Sequence, residues 1–470
     1  MSLPNTHFGA EHIGSLLSGK KKIFFAGIGG ISMCSLAHIS KNRGHTVSGY
    51  DRTPSKLTRE LEAEGVTVYY EESAGHVEGA DLLVYTVAMP ADNSEYARAA
   101  ELGIPCVSRA DYLGYLMSGY KKRIGVSGMH GKSTTTSMLE RIFTESGKNP
   151  TVSCGAVMTD VNSAYVVGGD EYFIFEACEY KDSFLDFYPT TALILNIEMD
   201  HVDYFNSLEQ IETSFGYFAQ RCGRDGIAVV NADDGNVMRA VKNFSGKTVT
   251  FSKKNPEADY FADRISFDRG CASFSVVHGG SVIVEVQLAI PGAHLVDDAL
   301  GAFAAAHENG VSAEDIARAL GVYRGVARRM EKCGSTPAGA DVYLDYAHHP
   351  TEIAATLATA QTMEYDRVFC VFQPHTYSRT AALFDSFAGA LAKGECAQVV
   401  LADIYAARET DTLGVSSSVL CDSVKKLGAE AVYIPDFGDM ADYLLAKCEK
   451  GDMIILMGAG DIASAAKLLV

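Results

Sequence analysis

The stretch Gly128-Met129-His130-Gly131-Lys132-Ser133-Thr134-Thr135-Thr136 packs two glycines, a lysine and a run of hydroxyls into one short segment. It follows the strand-like "RIGVS" and precedes "TTTSMLERIFTESG", where Met138, Leu139, Ile142 and Phe143 fall at helical spacing. A strand-to-helix turn of this kind suits phosphate, because backbone N–H groups at a helix N-terminus and the helix dipole attract anions. Lys132 can reach β/γ oxygens, and the Ser133 hydroxyl can ligate Mg²⁺. The pattern is shorter than the common G-x-x-x-x-G-K-[ST] loop, whose first glycine position is Val126 here, flanked by Gly125 and Gly128. Taken alone, it fits either a phosphate loop or a glycine turn feeding an ordinary helix.

Three further groups stand at the ends of apolar runs. Glu176 follows "YFIF", with Glu179 shortly after, and His201 and Asp203 follow "ALILNIEMD". In open parallel sheets, side chains beyond the strands' C-terminal ends line the ligand crevice. Ser133, Glu176 and His201 are therefore expected to converge around Mg²⁺ beside a γ-phosphate. "LDYAHHPTE" (344–352) and "QPHTYSRT" (373–380) pack His, Tyr and Arg into turns after hydrophobic strands. Arg379 suits bidentate capture of carboxylate or phosphate, and Arg328-Arg329 can place cations near a nucleotide. Near the N-terminus, Gly27-x-Gly29-x-x-Ser32, with Gly30 between and Asp51 ending the next strand, resembles a dinucleotide-binding turn. That turn is compatible with an NAD-dependent dehydrogenase or with the diphosphate of a nucleotide sugar. Ser32 in the third glycine position and the second phosphate loop downstream favour the diphosphate.

The elements that position these groups repeat a strand–helix alternation along the chain. With 470 residues the protein exceeds one hydrophobic core. We expect an α/β protein of three domains in series. A Rossmann-like N-terminal domain spans 1–120, a central P-loop ATPase-type mixed α/β domain 121–327, and a C-terminal Rossmann-like α/β domain 328–470. The polar "LMSGYKKR" (116–123) reads as a linker, and "CASFSVVHGGSVIVEVQLAI" as antiparallel strands. A net charge of −19 argues against nucleic-acid or anionic-membrane binding. Eleven scattered cysteines without a C-x-x-C pair read as reduced thiols rather than a disulfide frame or zinc site. No secretory signal and no apolar run of about 20 residues is visible, so a cytoplasmic location is expected.

Across nearly the whole chain these motifs resemble the Mur ligase family. The stretches that carry the likeness include "FFAGIGGISM", "GMHGKSTTT", "EACEYKDSFL", "NIEMDHVDYF", "RRME", "DYAHHPTE", "FQPHTYSRT" and "MGAGDI", in the family's order. "HHPTE" and "YSRT" point to the alanine-adding type. The helix after His201, "SLEQIETSFGYFAQRC", carries no lysine, whereas other family members typically hold a carbamylated one near the metal. The resemblance implies that ATP phosphorylates the lactyl carboxylate of UDP-N-acetylmuramate and that L-alanine attacks the acyl phosphate. It assigns the β/γ-phosphates to Lys132 within the loop Gly128, Gly131, Ser133 and Thr134. It assigns metal to Ser133, Glu176 and His201, and places His130 by the transferred phosphoryl. Arg329 would face the nucleotide phosphates, Asp345 the ribose, and His294 and Asp298 the adenine region. Gly27, Gly29, Gly30 and Asp51 would hold UDP, while Tyr346, His348 and Arg379 would orient alanine and the reacting carboxylate. A recycling ligase that adds a tripeptide, or an impaired binding homologue, are the alternatives; oligomeric state is not legible.

The family's H-N-x-x-N-A-L stands here as His294-Leu295-Val296-Asp297-Asp298-Ala299-Leu300. An ionised Asp298 accepts from an exocyclic amine but cannot donate to a ring nitrogen. An unpaired buried group costs on the order of 1–3 kcal/mol, roughly tenfold or more in affinity. Asp298→Asn is therefore expected to tighten ATP binding about tenfold, measured by equilibrium titration; an unchanged or weaker dissociation constant refutes the adenine-edge argument.

Overall fold

The computed structural model describes residues 3–201, 204–407, 409–410 and 413–470. Asp203 lies outside the described residues. The chain forms two compact units, one of residues 1–198, 208–261 and 299–319, the other of 199–207, 262–298 and 320–470. Three sheets carry three α/β domains in series.

The first unit opens with a five-stranded parallel sheet, in spatial order Thr67–Tyr69, Thr46–Tyr50, Lys22–Ala26, Leu82–Tyr85 and Cys106–Ser108. The central strand is an unbroken apolar run, Ile23 to Ala26, because helices cover both faces of a parallel sheet. Its last residue, Ala26, stands opposite Tyr50 and Tyr85. The Gly27–Gly30 turn and Asp51 therefore emerge at one edge, ahead of the helix Ile31–Asn42.

The same unit carries a larger sheet. Its strands Lys247–Ser252, Ile227–Asn231, Thr191–Ile194, Lys122–Ser127, Tyr172–Glu176 and Thr151–Met158 run parallel, and Ser163–Val166 adds an antiparallel edge. On the far side of Lys247–Ser252, Tyr260 and Phe261 pair with Phe251 and Ser252. Ser127 stands opposite Ile194, and Val126 opposite Glu176. The segment expected as a linker is not one. Leu116 and Met117 are buried in the helix Arg109–Ser118, and Lys122 begins a central strand. The Arg123 guanidinium is absorbed there by the carbonyls of Tyr188 and Tyr120, each at 2.5 Å. Its polarity thus satisfies backbone at the sheet's end rather than marking exposed chain.

The second unit holds a six-stranded sheet, in order Glu331–Ser335, Asp341–Asp345, Asp452–Met457, Arg367–Phe372, Gln398–Leu401 and Ala431–Tyr433; only the first pair is antiparallel. Strand Asp452–Met457 shows why it is central. Met453, Ile455 and Met457 enter the core on one face, and Ile454 and Leu456 the core on the other. The expected antiparallel segment is the hairpin Cys271–His278 and Ser281–Pro291. All eleven cysteines are free thiols. Among the described residues no helix is long and apolar enough to cross a membrane.

Candidate functional site

The phosphate-loop candidate sits where strand Lys122–Ser127 turns into the helix Lys132–Glu145. Gly131 caps that helix in the left-handed region at φ 82°, and no side chain caps the first turn. Asn196 braces the loop from the neighbouring strand's end. Its Oδ1 accepts from the His130 N–H at 2.9 Å and its Nδ2 donates to the His130 carbonyl at 3.1 Å. The His130 imidazole hydrogen-bonds the Glu198 carboxylate. Lys132 Nζ donates to the Gly128 carbonyl at 2.5 Å and lies 3.1 Å from the fully buried Glu179 carboxylate. Burial works against its charge, but Glu179, Cys178 and Glu176 prevail and hold the ammonium above its ordinary pKa. Lys132 is thus a fixed cation.

Ser133 and Glu176 do meet: the hydroxyl donates to Glu176 Oε2 at 2.7 Å, and the Gly155 N–H donates to the same oxygen at 2.8 Å. A Cβ at position 155 would stand 2.6 Å from both carboxylate oxygens, so only glycine leaves Glu176 its place. His201 belongs to the second unit. Its backbone adopts φ 50°, and its N–H donates to Asp200 Oδ1 at 2.6 Å.

At the N-terminal turn, the Gly29 N–H donates to Asp51 Oδ2 at 2.9 Å, and a Cβ on Gly29 would meet that oxygen at 2.8 Å. Asp51 therefore fastens the turn. Gly27 and Gly30 close the turn on each other, with the Gly30 N–H donating to the Gly27 carbonyl at 3.1 Å.

The second unit gathers the C-terminal candidates. Asp345 accepts from the Met330 and Ala347 N–H groups, each at 2.8 Å. Burial raises its pKa despite the nearby Arg329 and those two bonds. Arg329 pairs with Glu352 at 3.0 Å, and the Arg328 and Arg329 guanidiniums stand 4.7 and 5.4 Å from the Tyr346 ring centre. Glu352 also accepts from the His348 N–H at 3.0 Å. Arg379, in the short helix Tyr377–Ala382, makes an ion pair of 3.1 Å with the buried Asp200. Burial opposes the Asp200 charge, yet Arg379, His201 and the His201 N–H hold its pKa well below the carboxylate range. His375, beside His348, is lowered to about 4 by burial, by His348 and by Arg379, and stays neutral at pH 7. His294 and Asp298 lie at the start of the helix Leu295–Glu308; Asp298 is buried and His294 exposed. Asp297 and Asp298 in that first turn complement the helix dipole, a structural use for the two acids.

Sequence reasoning missed Asn196, Glu198 and Asp200, although all three stand in "NIEMD", and it missed Gly155, Glu352 and His375. The available signal was density: polar residues crowding the end of an apolar run.

Three family models match the chain. The Mur ligase family catalytic domain covers residues 22–121, the Mur ligase middle domain 126–306, and the Mur ligase glutamate ligase domain 328–460. A UDP-N-acetylmuramate–L-alanine ligase of Lachnospira eligens is 45% identical over 94% of this chain and 96% of its own length. One of Caldanaerobacter subterraneus is 44% identical over 94% and 95%. Among solved structures, a UDP-N-acetylmuramate–alanine ligase of Thermotoga maritima matches with a TM-score of 0.80 at 28% identity, covering 95% of this chain and 97% of that one. A murein peptide ligase of Psychrobacter arcticus matches with a TM-score of 0.71 at 25% identity, covering 96% and 98%.

Removing one partner of the Arg379–Asp200 pair leaves a desolvated charge, so Asp200→Asn is expected to destabilise the protein by about 1–3 kcal/mol at pH 7. Because the folded-state pKa of Asp200 lies below its unfolded value of about 3.9, this contribution is complete above roughly pH 5 and fades as pH falls below 4. Unfolding midpoints of both proteins at pH 7 and pH 3.5 test this. A gap that fails to shrink in acid refutes the assignment.

Proposed function

The chain belongs to the Mur ligase family, and we propose that it joins L-alanine to the lactyl carboxylate of UDP-N-acetylmuramate in an ATP-dependent amide ligation of peptidoglycan-precursor synthesis. The observation that carries this reading is the full-length likeness to alanine-adding ligases, at 41–45% identity. The Lys132–Ser133–Glu176 arrangement supplies the chemistry it requires. The reading places the work in the cytoplasm and divides the chain at 1–120, 121–327 and 328–470.

A carboxylate is a poor electrophile, and phosphorylation gives it a leaving group. A lactyl oxygen attacks the γ-phosphorus and ADP departs. The neutral amine of L-alanine then attacks the acyl carbon, phosphate leaves, and the nitrogen gives up a proton. The protein's share is positioning and charge stabilisation. Lys132 offers a permanent cation to the β/γ-phosphates within the loop Gly128–Thr134. His130, steadied by Asn196 and Glu198, stands by the transferred phosphoryl. Ser133 and Glu176 present hard oxygen donors 2.7 Å apart, a set that fits Mg²⁺, and the reading assigns His201 to the same metal. When bound, the metal would neutralise phosphate charge. Arg329 and Asp345 serve the nucleotide, with His294 and Asp298 at the adenine region. Tyr346, His348 and Arg379 orient alanine and the carboxylate, and Gly27, Gly29, Gly30 and Asp51 hold UDP.

Phosphate release from ATP with Mg²⁺ and UDP-N-acetylmuramate is the test, comparing L-alanine with no amino acid, glycine, L-serine and the tripeptide. Release that requires both the nucleotide sugar and L-alanine is expected. A preference for the tripeptide, or no release with any amine, overturns the proposal. In the same assay Lys132→Ala is expected to lower turnover at least about a hundredfold, the scale of losing a transition-state charge contact. Near-normal turnover removes Lys132 from its assigned role.

A further inference from the structure

Arg109 is a cation in an unfavourable place. It is the first residue of the helix Arg109–Ser118, directly after the N-cap Ser108, where the dipole favours anions. Its side chain is partly buried and donates one hydrogen bond, from Nη1 to Ser32 Oγ at 3.1 Å. Among the described residues no carboxylate forms an ion pair with it. Burial depresses its pKa, and Cys178, Asp186 and Glu176 offset that only in part. Buried charges are ordinarily paired, so this guanidinium lacks the anion that would compensate it.

Its single bond indicates where that anion goes. Ser32 lies in the first turn of the helix Ile31–Asn42, whose N-cap is Gly30 and whose first turn no side chain caps. Amide N–H groups and the dipole make this end attractive to phosphate. Ser32 is also the residue that replaces the third glycine of the G-x-G-x-x-G pattern. The substitution supplies a hydroxyl that tethers Arg109 beside the turn, and a planar guanidinium with five donors matches two phosphate oxygens at once.

We infer that Arg109 is a binding residue for the diphosphate of the nucleotide sugar, held by Ser32 on the flank of the Gly27–Ser32 turn. The inference rests on the nucleotide-sugar reading given above and extends it to a residue outside the glycine turn. It sets the diphosphate, rather than the lactyl carboxylate, as the partner, because the tether leads to the helix end that attracts phosphate.

Calorimetric titration of UDP and of UDP-N-acetylmuramate into wild type, Arg109→Gln and Arg109→Lys provides the test. Arg109→Gln is expected to weaken both ligands by a similar factor, tenfold or more, and Arg109→Lys by less, since it keeps the charge and loses the fork. In turnover, the KM for the nucleotide sugar rises while the KM values for ATP and L-alanine hold. The unfolding midpoint of Arg109→Gln stays level or rises, because an uncompensated buried charge has gone; a merely structural arginine would lower it. Unchanged UDP affinity overturns the inference, and weakening confined to UDP-N-acetylmuramate reassigns Arg109 to the carboxylate. A fall in affinity matched by a fall in midpoint overturns it as well. Wild type that binds neither ligand overturns the nucleotide-sugar reading itself, a result separable from binding that the substitutions leave untouched.

Discussion

The parallel register around strand Lys122–Ser127 is the constraint on which the first unit's chemistry depends. Pairing Ser127 with Ile194 on one side and Val126 with Glu176 on the other brings three strand ends to one level. Glu176 then needs no reach to meet Ser133, and Asn196 needs none to grip both backbone groups of His130. A shift of one residue in either ladder would turn Glu176 or Asn196 toward the opposite face of the sheet. The buried apolar runs of these strands make such a slip costly, so the hydrophobic pattern holds the polar geometry in place.

A second regularity concerns charge. Lys132 is matched by Glu179, Arg329 by Glu352 and Arg379 by Asp200, each through a carboxylate at least nine-tenths buried. These acids hold the cations in place in a desolvated setting. They also mean that an arriving phosphate or carboxylate must compete with a resident anion, which penalises ligands that present charge without the right geometry. Arg109 differs from these three: it is partly buried, and its guanidinium donates to a serine hydroxyl.

Much of this was legible in the residues. Apolar runs marked the strands that flank the loop, and the glycine, lysine and serine marked the loop itself. The extent of the central sheet was not legible, because strands such as Thr151–Met158 and Lys247–Ser252 mix hydroxyls with apolar residues and lack a continuous run. The segment 116–123 misled because Lys and Arg there spend their charge on carbonyls and packing, which composition does not reveal. Nor could sequence separate the acids that serve cations from those that line a site. Glu179 and Glu176 stand three residues apart, and only the fold shows one beside Lys132 and the other beside Ser133.

The brace between Asn196 and His130 joins residues 66 positions apart in the chain. Until strand Thr191–Ile194 docks, Asn196 cannot brace the His130 peptide groups. The helix that follows can form early from local contacts, but the anion cradle at its start waits for a long-range pairing. During refolding, recovery of helical signal would therefore precede recovery of nucleotide affinity, and the lag between them would time the closure of the central sheet.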